Sequence, residues 1–141
     1  MTGETGPEAM AAAVAKLGFE NDQVVQEWGW DDDADDDFRF AVEDAVGTEL
    51  EDEDFTGAAD AAILWWRDED GDLTDALVDT LGTLEDGGMI VLLTPRGDGD
   101  GAVDPADVEE AATTAGLHTS TTAMCGERWV ATLLVARKSG R

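Results

Sequence analysis

The chain has 141 residues, 34 acidic side chains against 8 basic ones, one cysteine, and five tryptophans without a tyrosine. That length suits a single domain with its own core, and an apolar share of 43% is too high for a disordered acidic tail. A net charge of -26 argues against nonspecific binding to nucleic acid or to an anionic membrane, because each phosphate contact needs a Lys or Arg.

Residues 1–6 read as a disordered tail. Pro7 to Leu17 follows as a first helix, with Thr5 and Glu8 at capping-box spacing, Pro7 early and Gly18 as the stop. Gln23 to Trp28 is a short strand that runs into Gly29 and an Asp-rich turn. Asp35 to Val46 is a helix whose Phe38, Val42, Ala45 and Val46 share one face, with acids in the first turn and Gly47 as terminator. The stretch from Glu49 to Asp60 fits nothing regular, beyond an irregular edge strand. Ala61 to Trp66 is a continuous apolar run, the pattern of a strand covered on both faces.

Asp72 to Leu84 spaces leucines for a helix, with Gly82 placed to end it a turn early. Gly87-Gly88 leads into a second apolar strand, Met89 to Thr94, closed by Pro95. A helix capped by Asp104 begins at Pro105 and stops before Gly116. His118 to Met124 and Trp129 to Ala136 read as two strands joined by the hairpin-length Cys125 to Arg128. Residues 137–141 read as a frayed end. Strands separated by helices imply right-handed crossovers and a mainly parallel sheet. The expected fold is therefore α/β: a single-domain, three-layer, Rossmann-like sandwich with an antiparallel hairpin at its C-terminus. No apolar run is long enough to span a bilayer, and no basic stretch precedes an apolar one at the N-terminus, so a cytoplasmic location is expected.

The acids are not spread evenly. Between Glu20 and Asp60 stand 17 of them with one base, Arg39, whereas from Ala112 onward Glu127 faces Arg128, Arg137, Lys138 and Arg141. Such a run either keeps the surface solvated, in water or in a salty cytoplasm, or forms a face for a basic partner protein, with association that salt would weaken.

Each chemical site can be tested against spacing. A nucleotide loop needs glycines directly after its first strand, so that backbone N–H groups can approach the ligand. Glu27-Trp28-Gly29 opens like an S-adenosylmethionine loop of the acid-x-Gly-x-Gly-x-Gly type, but Asp31 and Asp33 occupy the next two glycine positions. No cofactor is expected there; a solvated turn and a helix cap account for Asp31 to Asp37. With Gly71 at the sixth position of an EF-hand loop, Trp66 and Leu77 would be the first and last ligands, and neither can coordinate calcium. Asp68, Asp70 and Asp72, and likewise Asp98, Asp100 and Asp104, are better read as loop and cap residues. No metal is expected: the lone Cys125 and lone His118 make no zinc set. No Gly-x-Ser-x-Gly elbow or Gly-Lys-Ser/Thr loop is present, so no catalytic residue is assigned. Cys125, beside Gly126 and near Arg128, is a candidate redox thiol if the hairpin exposes it. Trp65, Trp66 and Trp129 read as core or sheet-face residues. Trp28 and Trp30, with Asp31, Asp32 and Asp33, lie at the strand-end rim and are the candidate partner surface.

Three segments then resemble a known family. Gln23 to Asp31, the run Leu64-Trp65-Trp66-Arg67-Asp68-Glu69-Asp70-Gly71-Asp72-Leu73, and Leu92-Leu93-Thr94-Pro95 are similar to the actinobacterial domain of unknown function 3052. The resemblance implies a small, incomplete methyltransferase-like fold without established activity. For some members it also implies redox-responsive transcription regulation, in which an oxidised cysteine pair promotes association with a sigma factor. Here one cysteine cannot form that pair, so only an intermolecular disulfide or another modification of Cys125 would sense oxidant. The expectation is a non-enzymatic regulator or adaptor acting through its acidic surface on a basic protein, such as a sigma factor or transcription component. The alternative is a degenerate or atypical S-adenosylmethionine-dependent methyltransferase-like enzyme or metabolite binder.

Overall fold

A computed structural model describes residues 7–97, 101–126 and 128–136. Thr5, Asp98, Asp100, Glu127, Arg137, Lys138 and Arg141, read above from the sequence, and both chain ends lie outside them. Ten elements follow one another: helix α1 (Pro7–Leu17), strand β1 (Val25–Trp28), α2 (Asp36–Val46), β2 (Ala59–Trp65), a 3-10 turn (Asp68–Asp70), α3 (Leu73–Leu81), β3 (Leu84–Pro95), α4 (Pro105–Thr114), β4 (Leu117–Cys125) and β5 (Trp129–Ala136). The strands form one sheet in the order β1-β2-β3-β5-β4. The first three are parallel, and β5 lies antiparallel to both β3 and β4. The closing hairpin thus inserts its second strand into the sheet and leaves β4 at the edge.

Helices cover both faces because both faces of the central strands are apolar. Along Ala61 to Trp66, Ala61, Ile63 and Trp65 point to the α1–α2 side with Val42, Phe38 and Leu17, whereas Ala62, Leu64 and Trp66 join Leu77, Ile90 and Val108 on the α3–α4 side. A continuous apolar run therefore feeds two cores by simple pleat alternation. On the first side, Phe19, Phe38, Trp65 and Trp129 form a chain of edge-to-face contacts, the tightest being Trp65–Trp129 at 4.9 Å between centroids. Each such pair adds about 1 kcal/mol beyond its area burial.

Element ends follow local chemistry. Asp35 caps α2 through Phe38 N–H at 3.0 Å, Asp72 caps α3 and Asp104 caps α4. Gly82 does end α3 early, after Leu81. Strand β3 starts before the Gly87-Gly88 pair, at Leu84 opposite Ala59, and its register slips before Met89 pairs with Ala61. The glycines sit inside an irregular strand rather than ahead of it, since an added Cβ on Gly88 would come 3.0 Å from the Asp60 carbonyl. Within the 49–60 stretch Glu51 makes one isolated parallel bridge to Gln26, so this segment screens part of the outer edge of β1. Among the described residues no helix is long and apolar enough to cross a membrane.

Candidate functional site at the strand ends

The carboxyl ends of β1 and β2 meet the loop from Gly29 to Asp35, where open α/β sheets place their ligands. Two arginines organise this rim. Glu27, only 6% exposed, points to the first face and accepts Arg39 Nε at 2.7 Å and Nη2 at 2.9 Å. The same carboxylate accepts the Trp65 indole N–H at 2.8 Å. A buried carboxylate is costly unless paired, and here a fork from α2 and a donor from β2 satisfy it. The hydrogen bond and charge of Glu27 in turn raise the Arg39 pKa. Arg39 also lies 5.7 Å from the Trp30 ring centroid, a cation–π distance.

Arg67, just after β2, closes the loop itself. Its Nη1 donates to the Gly29 carbonyl at 2.8 Å, its Nε and Nη2 hold the Asp33 carboxylate, and its guanidinium lies 5.3 Å over the Trp129 ring. Trp129 Nε1 donates to the Asp33 carbonyl at 3.0 Å, so the loop is fastened from two strands. The Arg67 hydrogen bond lowers the Asp33 pKa. Burial works against the Arg67 charge, yet the hydrogen bond and charge of Asp33 outweigh it and raise the Arg67 pKa. Gly29 has φ +77°, and a Cβ there would stand 2.4 Å from the Trp65 carbonyl oxygen. Its lack of a side chain thus serves close packing of the loop on β2.

On the second face a cleft of about 370 Å³ remains open, lined by Trp28, Trp30, Asp31, Leu64, Trp66, Arg67, Asp70 and, from α3, Ala76, Asp79 and Thr80. Trp28 packs partly buried against this face, with its Nε1 enclosed and without a hydrogen-bond partner. Trp30, beyond the end of β1, is 49% exposed. The sequence reading grouped Asp31, Asp32 and Asp33 together, and the fold separates them. Asp31 and Asp32 are exposed, with Asp32 N–H on Asp31 Oδ1, whereas Asp33 is held by Arg67. Asp33 is therefore not part of a free turn, a correction whose reason is the arginine 34 positions later.

The exposed setting considered for Cys125 is also corrected. It lies inside the end of β4, opposite Trp129, fully buried, and desolvation pushes its pKa up to about 12. His118 is exposed on β4. Asp70 binds the Arg67 N–H at 2.9 Å and Asp72 caps α3, so both carboxylates have local partners. Among the described residues no group of three or more His, Cys, Asp and Glu is placed to hold a metal ion. What the sequence reading missed is the pair Arg39 and Arg67. Their signal was present, since Arg39 is the one base in a 17-acid stretch and Arg67 directly follows Trp65-Trp66 at a strand end.

The profile of the family described as protein of unknown function DUF3052 matches residues 14–138. The chain belongs to the DUF3052 family. A DUF3052 relative, the uncharacterized protein Rv2239c of Mycobacterium tuberculosis, is 50% identical over 124 residues, spanning 88% of this chain and 78% of its own length. An uncharacterized protein of Mycobacterium bovis, Mb2263c, matches to the same extent: 50% over 124 residues, 88% of this chain and 78% of that one. Among solved structures, this DUF3052 chain is similar to the CcbJ methyltransferase of Streptomyces caelestis, with TM-score 0.63 at 13% identity, over 94% of this chain and 91% of that one. It is also similar to a precorrin-6y C5,15-methyltransferase of Geobacter metallireducens, with TM-score 0.63 at 12% identity, over 93% and 88% of the two chains. At identities this low the likeness shows a shared methyltransferase-like fold alone.

Proposed function

We propose that this DUF3052 protein is a non-catalytic adaptor, a methyltransferase-like fold that presents an acidic strand-end face to a basic protein partner, such as a transcription component. The observation that supports this most is the Arg67 bridge. Bare backbone would have to cradle a nucleotide after β1, yet there the guanidinium ties Gly29 to Asp33. The residues present do not fit S-adenosylmethionine in this arrangement. Gly29 packs against the Trp65 carbonyl with no room for a side chain, and carboxylates stand at the next two glycine positions. Exposed Trp30, Asp31 and Asp32 then supply an aromatic anchor and anionic neighbours at the rim. Affinity capture from the native cytosol at low and high salt tests this. A partner retained at low salt by the wild type and lost by Asp31→Asn/Asp32→Asn is expected; a partner indifferent to both changes would contradict the reading.

The alternative, a metabolite binder or atypical methyltransferase, draws on the open cleft beside Trp28 and Thr80. A metabolite seated there would raise stability by RT ln(1 + [L]/Kd), about 2.7 kcal/mol at a hundredfold excess over Kd.

A further inference from the structure

We propose that the cleft between β1, the end of β2 and α3 binds an arginine side chain of a basic protein segment. The partner's basic character rests on the adaptor reading, whereas the choice of arginine and of this cleft rests on how the molecule treats its own arginines. The rim solves the same recognition problem twice. Arg39 sits between the Glu27 carboxylate and the Trp30 ring, and Arg67 between the Asp33 carboxylate and the Trp129 ring. Each arrangement pairs a carboxylate with an indole, which together match a planar cation through forked hydrogen bonds and through stacking.

The cleft carries the same components, and the guanidinium in its lining is engaged elsewhere. Its aromatic lining includes Trp28 and Trp66, Leu64 adds apolar surface, and its carboxylates are Asp31, Asp70 and Asp79. The one cation in its lining, Arg67, is committed to Asp33 and the Gly29 carbonyl, and it also reaches Asp70 at 3.4 Å. Asp31 and Asp79 have no cationic partner among the described residues, and both are exposed. An anionic ligand such as a phosphate would meet these carboxylates and be repelled. A lysine would gain the charge but neither the fork nor the planar stack. At about 370 Å³ the cleft falls in the size range of small-molecule sites, roughly 300–1,000 Å³, so it has room for an arginine side chain with its aliphatic stem.

Two blocked peptides that differ only in carrying arginine or lysine between flanking glycines, titrated at low salt and followed by tryptophan emission and calorimetry, test the assignment. The arginine peptide should bind about fivefold tighter than the lysine peptide. Asp31→Asn/Asp79→Asn should weaken the arginine peptide about tenfold, whereas Glu109→Gln/Glu110→Gln, an equal charge change on exposed residues of α4, should leave it within about twofold. Circular dichroism melts confirm that each variant is folded. Equal binding of the two peptides, or equal weakening by the two double variants, would mean diffuse attraction and overturn the cleft assignment. Absence of arginine-peptide binding would overturn it as well. The adaptor reading is judged separately, by the salt-sensitive capture of a partner, and survives either failure.

Discussion

The two faces of the sheet end differently at the same rim. On the α1–α2 side two carboxylates near the strand ends are matched, Glu27 by Arg39 and Trp65 and Asp33 by Arg67, and the aromatic chain runs beneath them. On the α3 side Trp28, Trp66, Asp31 and Asp79 line open space. Both faces draw on the same kinds of group, indoles and carboxylates. The difference lies in whether an arginine arrives from elsewhere in the chain. A polar cluster with all its partners stabilises and fixes the loop, whereas one short of a partner remains available to an external group.

The matched side should be the sensitive one. Gly29→Ala is expected to cost most, about 3 kcal/mol or more, because it combines a positive φ with a Cβ 2.4 Å from a backbone oxygen; urea unfolding measures it. A loss below about 1 kcal/mol would mean that the loop can shift and that the rim is not fastened as described. Arg67→Ala should follow at about 2–3 kcal/mol, since the side chain is only 11% exposed and its removal strands the Gly29 carbonyl and Asp33. The same variant tests the pH dependence. Arg67 depresses the Asp33 pKa below its ordinary 3.8, so the stability this pair contributes is complete above that value and is lost as pH falls through the lower folded pKa. The gap between wild type and Arg67→Ala should therefore narrow as pH falls below 3.8 in acid titrations of stability.

Cys125 should react with a thiol reagent at pH 8 at least about a hundredfold more slowly in the native protein than in urea, because it is buried with its pKa raised to about 12. Rapid native labelling would restore the exposed-thiol setting. The open side should be nearly silent: Asp79→Asn, exposed and without an ion-pair partner among the described residues, should change stability by no more than about 0.5 kcal/mol.

Most of the fold was legible because its signals are local. The Asp35, Asp72 and Asp104 caps, the unbroken apolar run at Ala61 to Trp66 and the glycine stops each act within a turn or a strand. The rim was harder to read because its geometry is set by residues distant in sequence. Asp33 looks like one more carboxylate in an acidic turn until Arg67 is brought against it, and Gly29 looks like a ligand-binding glycine until the Trp65 carbonyl is seen beside it. Cys125 followed the same rule. A hairpin suggests exposure, but pairing with Trp129 draws the thiol into the first core. Neither Gly87-Gly88 nor the Glu51 bridge had a periodic signature, since each depends on a partner strand for its shape.

The most direct measurement is a calorimetric titration of the wild-type protein with S-adenosylmethionine, backed by a crystal soaked in the same ligand. With the post-β1 loop closed by its own arginine, no heat of binding and an unchanged Arg67–Asp33 pair are expected. Micromolar binding, with the cofactor seated against Gly29 and Arg67 displaced, would contradict the view that this methyltransferase-like fold has closed its cofactor cradle from within.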